Sequence, residues 1–144
     1  MKNIKLYISL TMVILLLGVS NESLAQNDFI VIVNKNVKEE SLTQSNIRRI
    51  YFGFTTQWQS FEKVKPSYTE INNEAFWKYI STEKGKFKSF WTKRVFSGNG
   101  VAPDEFRDGR DVIDFVSRTG GAIGIIPSSA KGSIGPNCKI VSLK

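Results

Sequence analysis

Apolar and polar positions change period several times along this chain, and each change marks an element. Phe29-Ile-Val-Ile-Val33 is an unbroken apolar run closed by Asn34, the length of a buried strand. Ile47, Ile50, Tyr51 and Phe54 then recur at the i, i+3, i+4, i+7 spacing of one helix face. Thr43 is placed to cap that helix, Leu42 and Ile47 to close a hydrophobic staple over its first turn, and Gly53 to end it. Phe76, Tyr79 and Ile80 mark a second helix, capped by Asn72 and stapled by Ile71 with Phe76. Phe87, Phe90 and Trp91 line a third, and Val112, Phe115 and Val116 line a fourth that Gly120 ends. Asp108 and Asp111 fall in the first turn of the fourth, where carboxylates complement the helix dipole. The order reads strand 29–33, helix 43–52, strand 63–66, helix 72–81, helix 85–95, helix 109–118, strand 122–127 and strand 139–142. This alternation predicts an α/β domain, with helices flanking a small mixed sheet.

The first residues carry a different signal. Lys2 and Lys5 precede an apolar stretch over 6–19, and Ser23-Leu24-Ala25 is a small-x-small cleavage site. The stretch is shorter than the ~20 apolar residues that span a bilayer, and it lacks a lipobox cysteine. The expected organisation is a signal peptide over 1–25, cleaved after Ala25, and one domain over 26–144. The expected location is the periplasm, with no stable membrane span after cleavage. Cleavage would remove two lysines and one glutamate, lowering the net charge from +7 to +6. Small exported proteins often lean on disulfides, but Cys138 is the only cysteine. No intrachain bridge can form, and a half-buried structural thiol is its expected role.

The chain has no histidine. That removes Ser-His-Asp and Cys-His catalysis and every His-containing zinc site. The acidic stretch Asp104-Glu105, Asp108, Asp111 and Asp114 lacks the glycine and glutamate positions of an EF-hand loop. A non-enzymatic domain with no cofactor and no metal is therefore expected. Lys84, Lys86, Lys88, Lys93 and Arg94 alternate with Phe87, Phe90 and Trp91, as on a solvated helix face. Nucleic acid is not an expected partner of an exported domain.

Residues 41–58 combine, after a strand ending in Asn34, a Leu-Ser/Thr helix start, an Ile-aromatic-Gly exit and then Trp58. This ordered set resembles the second lobe of the phosphate-binding proteins, the substrate-binding components of ABC-type phosphate transporters. It is more similar still to their short, single-lobe exported relatives. The resemblance continues at Glu74-Ala-Phe76, Phe90-Trp91, Val95-Phe96-Ser-Gly98 and Gly120-Gly-Ala-Ile-Gly-Ile-Ile126, and covers nearly all of 29–127 in order. It implies one lobe of a type II periplasmic-binding-protein-like fold and a solute-binding role. It also implies phosphate or another oxyanion as ligand; the candidate membrane protein partners are a transporter or, if the ligand has been lost, a sensor or porin. In the full-length phosphate binders the helix matching 72–81 begins with Ser-Gly-Thr after an arginine, and these groups grip the ligand. Here Pro66-Ser-Tyr-Thr-Glu70-Ile-Asn72-Asn73 has neither, and Glu70 and Glu74 would repel phosphate at close range.

Backbone N–H groups that could hold an oxyanion occur in three places. The helix start at Asn72 and Asn73 is the first. The second is the glycine-rich turn after the basic helix, with Arg94, Ser97 and Asn99 as donors; the same residues also fit a helix C-cap built on Gly98 or Gly100. Thr119-Gly-Gly-Ala-Ile-Gly124 is the third, and its glycines suit a tight helix-to-strand turn and close packing. An alternative function follows from the missing ligand motif and the missing first lobe: an interaction module that keeps the fold and pairs through its uncovered cleft face. Phe54 and Trp58 are then either aromatic anchors or core residues.

Overall fold

The computed structural model describes residues 28–144, so the expected export signal and its cleavage site lie outside the described residues. The elements are β1 (Phe29–Asn34), β2 (Ser41–Leu42), α1 (Gln44–Tyr51), β3 (Lys65–Thr69), α2 (Glu74–Tyr79), α3 (Lys84–Phe96), β4 (Asp104–Phe106), α4 (Gly109–Arg118), β5 (Ala122–Pro127), a 3-10 turn (Ser128–Ser133), β6 (Cys138–Ile140) and β7 (Ser142–Leu143). Five strands form one mixed sheet in the order β4-β3-β5-β1-β6. β3 runs parallel to β4 and β5, whereas β1 is antiparallel to β5 and β6. β2 and β7 form a separate parallel pair.

The unbroken apolar runs of β1 and β5 follow from burial on both faces. Phe29, Val31, Val33, Ile123 and Ile125 point to one side, into a core shared with α1, α2 and α3. Ile32, Ala122 and Ile126 point to the other, against Val112 and Val116 of α4. Gly124 sits on that second face because a Cβ there would lie 2.4 Å from Val112 Cγ1. Asn34 extends β1 by one residue and anchors α4, its Nδ2 donating 2.9 Å to the Val116 carbonyl. Cys138 is buried on the same side, more fully than the half-buried thiol expected, and burial raises its thiol pKa.

Helix ends were largely written in the chain. Thr43 caps α1 in a reciprocal box with Asn46, with bonds of 3.1 and 3.0 Å, and Leu42 and Ile47 are both buried as a staple requires. α1 then exits through a left-handed Gly53, whose N–H donates to Ile50 while that of Phe54 donates to Arg49. That turn swings Phe54 off the helix, so it is 58% exposed rather than continuing the buried stripe of Ile47, Ile50 and Tyr51. α2 closes with the same bond pair through Ser81, a non-glycine residue at φ 56°. Ser81→Gly is therefore expected to stabilise the domain by about 0.5–1 kcal/mol, read as a higher urea midpoint.

Four expectations shift. α2 begins at Glu74 instead of 72: Asn72 adopts φ 55°, Asn73 takes the N-cap position, and Ile71 is exposed, so the second staple does not form. β3 lies at 65–69 instead of 63–66, because its pairing with β5 and β4 runs from Lys65 opposite Ala122 to Thr69 opposite Phe106. Asp104-Glu105-Phe106, read as part of an acidic stretch, is edge strand β4. The last strand divides at buried Val141, which moves the chain from β1 to β2.

Candidate functional site: the carboxyl rim of the sheet

Open α/β sheets collect ligands outside the carboxyl ends of their parallel strands. Here that rim carries the turn from β3 into α2, the turn from β4 into α4 and the start of the 3-10 turn after β5. An open depression of about 730 Å3 lies at the first of these, lined by Glu70, Asn72, Asn73, Glu74, Glu83 and Lys84 among others. The first N–H groups of α2 have no partner within the helix.

The two asparagines behave differently. Asn72 is exposed at its left-handed position. Asn73 is buried: its Nδ2 donates to the Thr69 carbonyl and its Oδ1 accepts from the Trp77 indole at 2.9 Å. Its side chain is thus buried and fixes the turn. The charge around this turn is also mixed. Glu70, Glu74 and Glu83 oppose Lys78 and Lys84, and Lys84 Nζ is occupied by the Glu70 carbonyl at 2.7 Å and Glu105 at 3.5 Å.

Glu105 clamps edge strand to helix. Burial opposes its ionisation, but the hydrogen bond and charge of Lys88, at 2.8 Å, and the charge of Lys84 outweigh that and lower its pKa. The opposite Tyr68 phenol is raised by burial first and by the Glu105 charge second. A depressed carboxyl stabilises the fold above its unfolded pKa, and that contribution disappears as pH falls through the folded value. The urea midpoint should therefore drop as pH falls below the ordinary glutamate range, and Glu105→Gln should flatten that part of the profile.

Arg94, Ser97 and Asn99 build the helix C-cap. Gly98 is left-handed, its N–H donates 3.0 Å to Val95, and that of Asn99 donates 2.9 Å to Arg94. Ser97 Oγ donates to the Lys93 and Arg94 carbonyls, Asn99 Nδ2 donates to Ser97 Oγ, and Arg94 Nε donates 3.2 Å to the Asn99 carbonyl. These bonds tie the turn to the helix end, so Ser97 and Asn99 serve the C-cap. The Arg94 guanidinium sits 5.5 Å from the Phe54 ring centroid and 5.6 Å from those of Phe90 and Trp91.

The five candidates therefore do not converge. Lys84 at the start of α3 touches the β3–α2 turn, and Arg94 lies ten residues on, about 15 Å along the helix axis. Arg107, which sequence reasoning passed over, is better placed. It follows Phe106, whose carbonyl accepts the Glu70 N–H at 2.7 Å, so it stands on the rim beside the turn. It is exposed and takes part in no hydrogen bond or ion pair among the described residues. Its signal was hidden because β4 was not recognised as a strand ending there. The acidic residues are structural: Asp108 caps α4, and Asp114 pairs with Arg118. No group of three His, Cys, Asp or Glu among the described residues could hold a metal ion.

No protein-family model and no curated protein matches the sequence. Solved structures match its fold. A protein assigned as a phosphate ABC transporter substrate-binding protein from Clostridium perfringens, determined with bound phosphate, matches 81% of this chain and 44% of its own, with a TM-score of 0.62 and 18% identity. PstS from Borrelia burgdorferi matches 81% of this chain and 47% of its own, with a TM-score of 0.56 and 18% identity. An ABC-type phosphate transport receptor from Vibrio cholerae matches 81% and 46%, with a TM-score of 0.52 and 16% identity. The chain thus spans less than half the length of each. At these identities the likeness establishes the fold alone: this chain shares the mixed α/β architecture of part of these substrate-binding structures, as its motifs implied.

Proposed function

We propose that this chain is an exported, non-enzymatic, solute-binding-type domain that takes phosphate or a similar oxyanion weakly at the turn from β3 into α2. One observation carries the reading: the first N–H groups of α2 follow the carboxyl end of β3, an interior strand, and Arg107 follows the end of the neighbouring β4. The working donors are main-chain amides around Asn72 and Asn73, with Arg107 in place of the Arg94, Ser97 and Asn99 group. Two features keep the affinity low. Glu70, Glu74 and Glu83 share the depression, and its openness to water screens charge-assisted bonds.

Titration calorimetry with phosphate and sulfate at low ionic strength tests this. The expected Kd is on the order of 1 mM. Glu70→Gln with Glu74→Gln is expected to tighten binding about fivefold, and Arg107→Ala to weaken it by a similar factor. Absence of heat from both the natural chain and the glutamine variant at millimolar phosphate would sink the proposal. Its cellular part is tested by fractionation and by the mass of the processed chain, expected to begin at Gln26.

A second reading, an interaction module pairing with a transporter, sensor or porin or with another copy, draws on a different observation. Around the end of α3, Phe96 is 90% exposed, Val101 82% and Val95 49%, a concentration of apolar surface that marks contact sites. Under this reading, sedimentation velocity or cross-linking to a membrane fraction detects a complex that Phe96→Ser abolishes, with the phosphate isotherm unchanged.

A further inference from the structure

A second cleft, of about 430 Å3, lies at the opposite end of the sheet, where β3 and β4 begin. Its inner wall is apolar, formed by Ile50, Val64 and Trp91, and its lip carries Lys63, Lys65, Arg94 and Asp104. The Trp91 indole N–H donates 3.0 Å to the Tyr51 carbonyl, so the ring edge left for the cleft is hydrocarbon. Two glycines keep that edge uncovered. A Cβ at Gly53 would lie 2.7 Å from Trp91 Cη2, and one at Gly100 would lie 3.2 Å from Cζ3.

The lip holds three cations against one carboxylate. None of Lys63, Lys65 and Arg94 is in an ion pair among the described residues, in contrast to Lys84, Lys86 and Lys88 of α3. Arg94 spends only its Nε on the Asn99 carbonyl, and its planar group stays against the rings of Phe54 and Trp91. Its terminal nitrogens are thus held at the lip by packing, ready to meet a carboxylate in a forked arrangement.

We infer that this cleft binds a small amphipathic carboxylate, with its apolar body against Trp91 and its anionic head between Arg94, Lys63 and Lys65. A bare inorganic oxyanion would leave the apolar wall unused, and a neutral hydrocarbon would leave the cationic lip uncompensated. The volume falls within the range of small-molecule sites. The site is separate from the β3–α2 turn and does not depend on oxyanion binding there.

The test is an NMR titration of the uniformly 15N-labelled processed chain with octanoate below its micelle concentration, with 1-octanol and with inorganic phosphate. Octanoate is expected to shift the Trp91 indole N–H and the Gly53, Gly100 and Val101 amides saturably. Octanol should need about tenfold more to do so, and phosphate should leave these signals in place. Lys65→Glu should raise the octanoate half-saturation about fivefold with octanol unaffected, and Lys63→Glu serves as a second variant should the first fold poorly. The inference is overturned if octanoate gives no saturable shift at these four groups, if octanol matches it, or if a folded charge-reversal variant binds it as before. Shifts from phosphate at the β3–α2 turn would bear only on the oxyanion reading.

Discussion

Gly121→Ala is expected to leave the chain largely unfolded at ambient temperature. Gly121 is left-handed, at φ 74°, and a Cβ built there would stand 2.1 Å from the Lys63 carbonyl oxygen. That contact is backbone against backbone, so no side chain can swing away. Relief by moving the turn is also blocked. The Gly121 carbonyl accepts from the Trp58 indole at 2.9 Å and from the Lys65 N–H at 3.1 Å, and shifting it would break both bonds and loosen Trp58 from the core. Left-handed strain of about 1–2 kcal/mol and two hydrogen bonds at about 1 kcal/mol each already come to about 3–4 kcal/mol before the clash is counted. Domains of this size hold only about 5–15 kcal/mol. Gly120→Ala is the control. It lacks the positive φ, and its Cβ would meet chiefly the mobile end of Glu62, so a cost below about 1 kcal/mol is expected. Urea unfolding followed by far-UV circular dichroism separates the two. Similar midpoints for both variants would show that the turn from α4 into β5 relaxes freely.

Phe76→Ala is expected to cost about 3–5 kcal/mol, the range for a large aromatic removed from a core that cannot collapse. Phe76 is fully buried, with ring centroids 5.7 Å from Phe29, 4.9 Å from Tyr51 and 5.0 Å from Trp77. It therefore ties β1 and α1 to α2. Its neighbours also hold polar bonds that fix the rim. The Tyr51 hydroxyl donates 2.7 Å to the Ser67 carbonyl, and Trp77 holds Asn73, which in turn holds Thr69. Emptying the site should accelerate amide exchange across 70–75 as well as lower the urea midpoint. Phe76→Leu should recover roughly half of the loss. An alanine variant with ordinary stability and unchanged exchange at the turn would show that α2 is held from elsewhere.

The sequence was most informative where a single local cause decides the outcome. Thr43 and Asn46 cap α1 from within four residues, and Asp108 caps α4 through its own neighbours Arg110 and Asp111. Gly53 ends α1 for the same local reason. The two-sided burial of β1 and β5 was legible as apolar runs, and α4 was legible at 109–118 because its stripe and cap agree. β4 was illegible. Three residues, two of them acidic, become a strand because β3 offers a parallel edge and because Lys84 and Lys88 neutralise Glu105, and those partners are distant in the chain.

The candidate site divides in the same way. A helix start near Asn72 and Asn73, a basic helix end at Arg94 and the repelling carboxylates Glu70 and Glu74 were all visible in the order of residues. Tertiary packing decided what they can do. It turned Asn73 inward onto Trp77 and Thr69, let α3 hold Arg94 far from the turn, and set Arg107 on the rim through the pairing of β3 with β4. It also set Lys63, Lys65 and Arg94 around the carbon edge of Trp91. Local spacing fixes caps, periods and turns because those interactions reach only a few residues. Which donors remain free, and which charges share one cleft, depends on contacts between residues far apart in the chain, and those exist only once the sheet has closed.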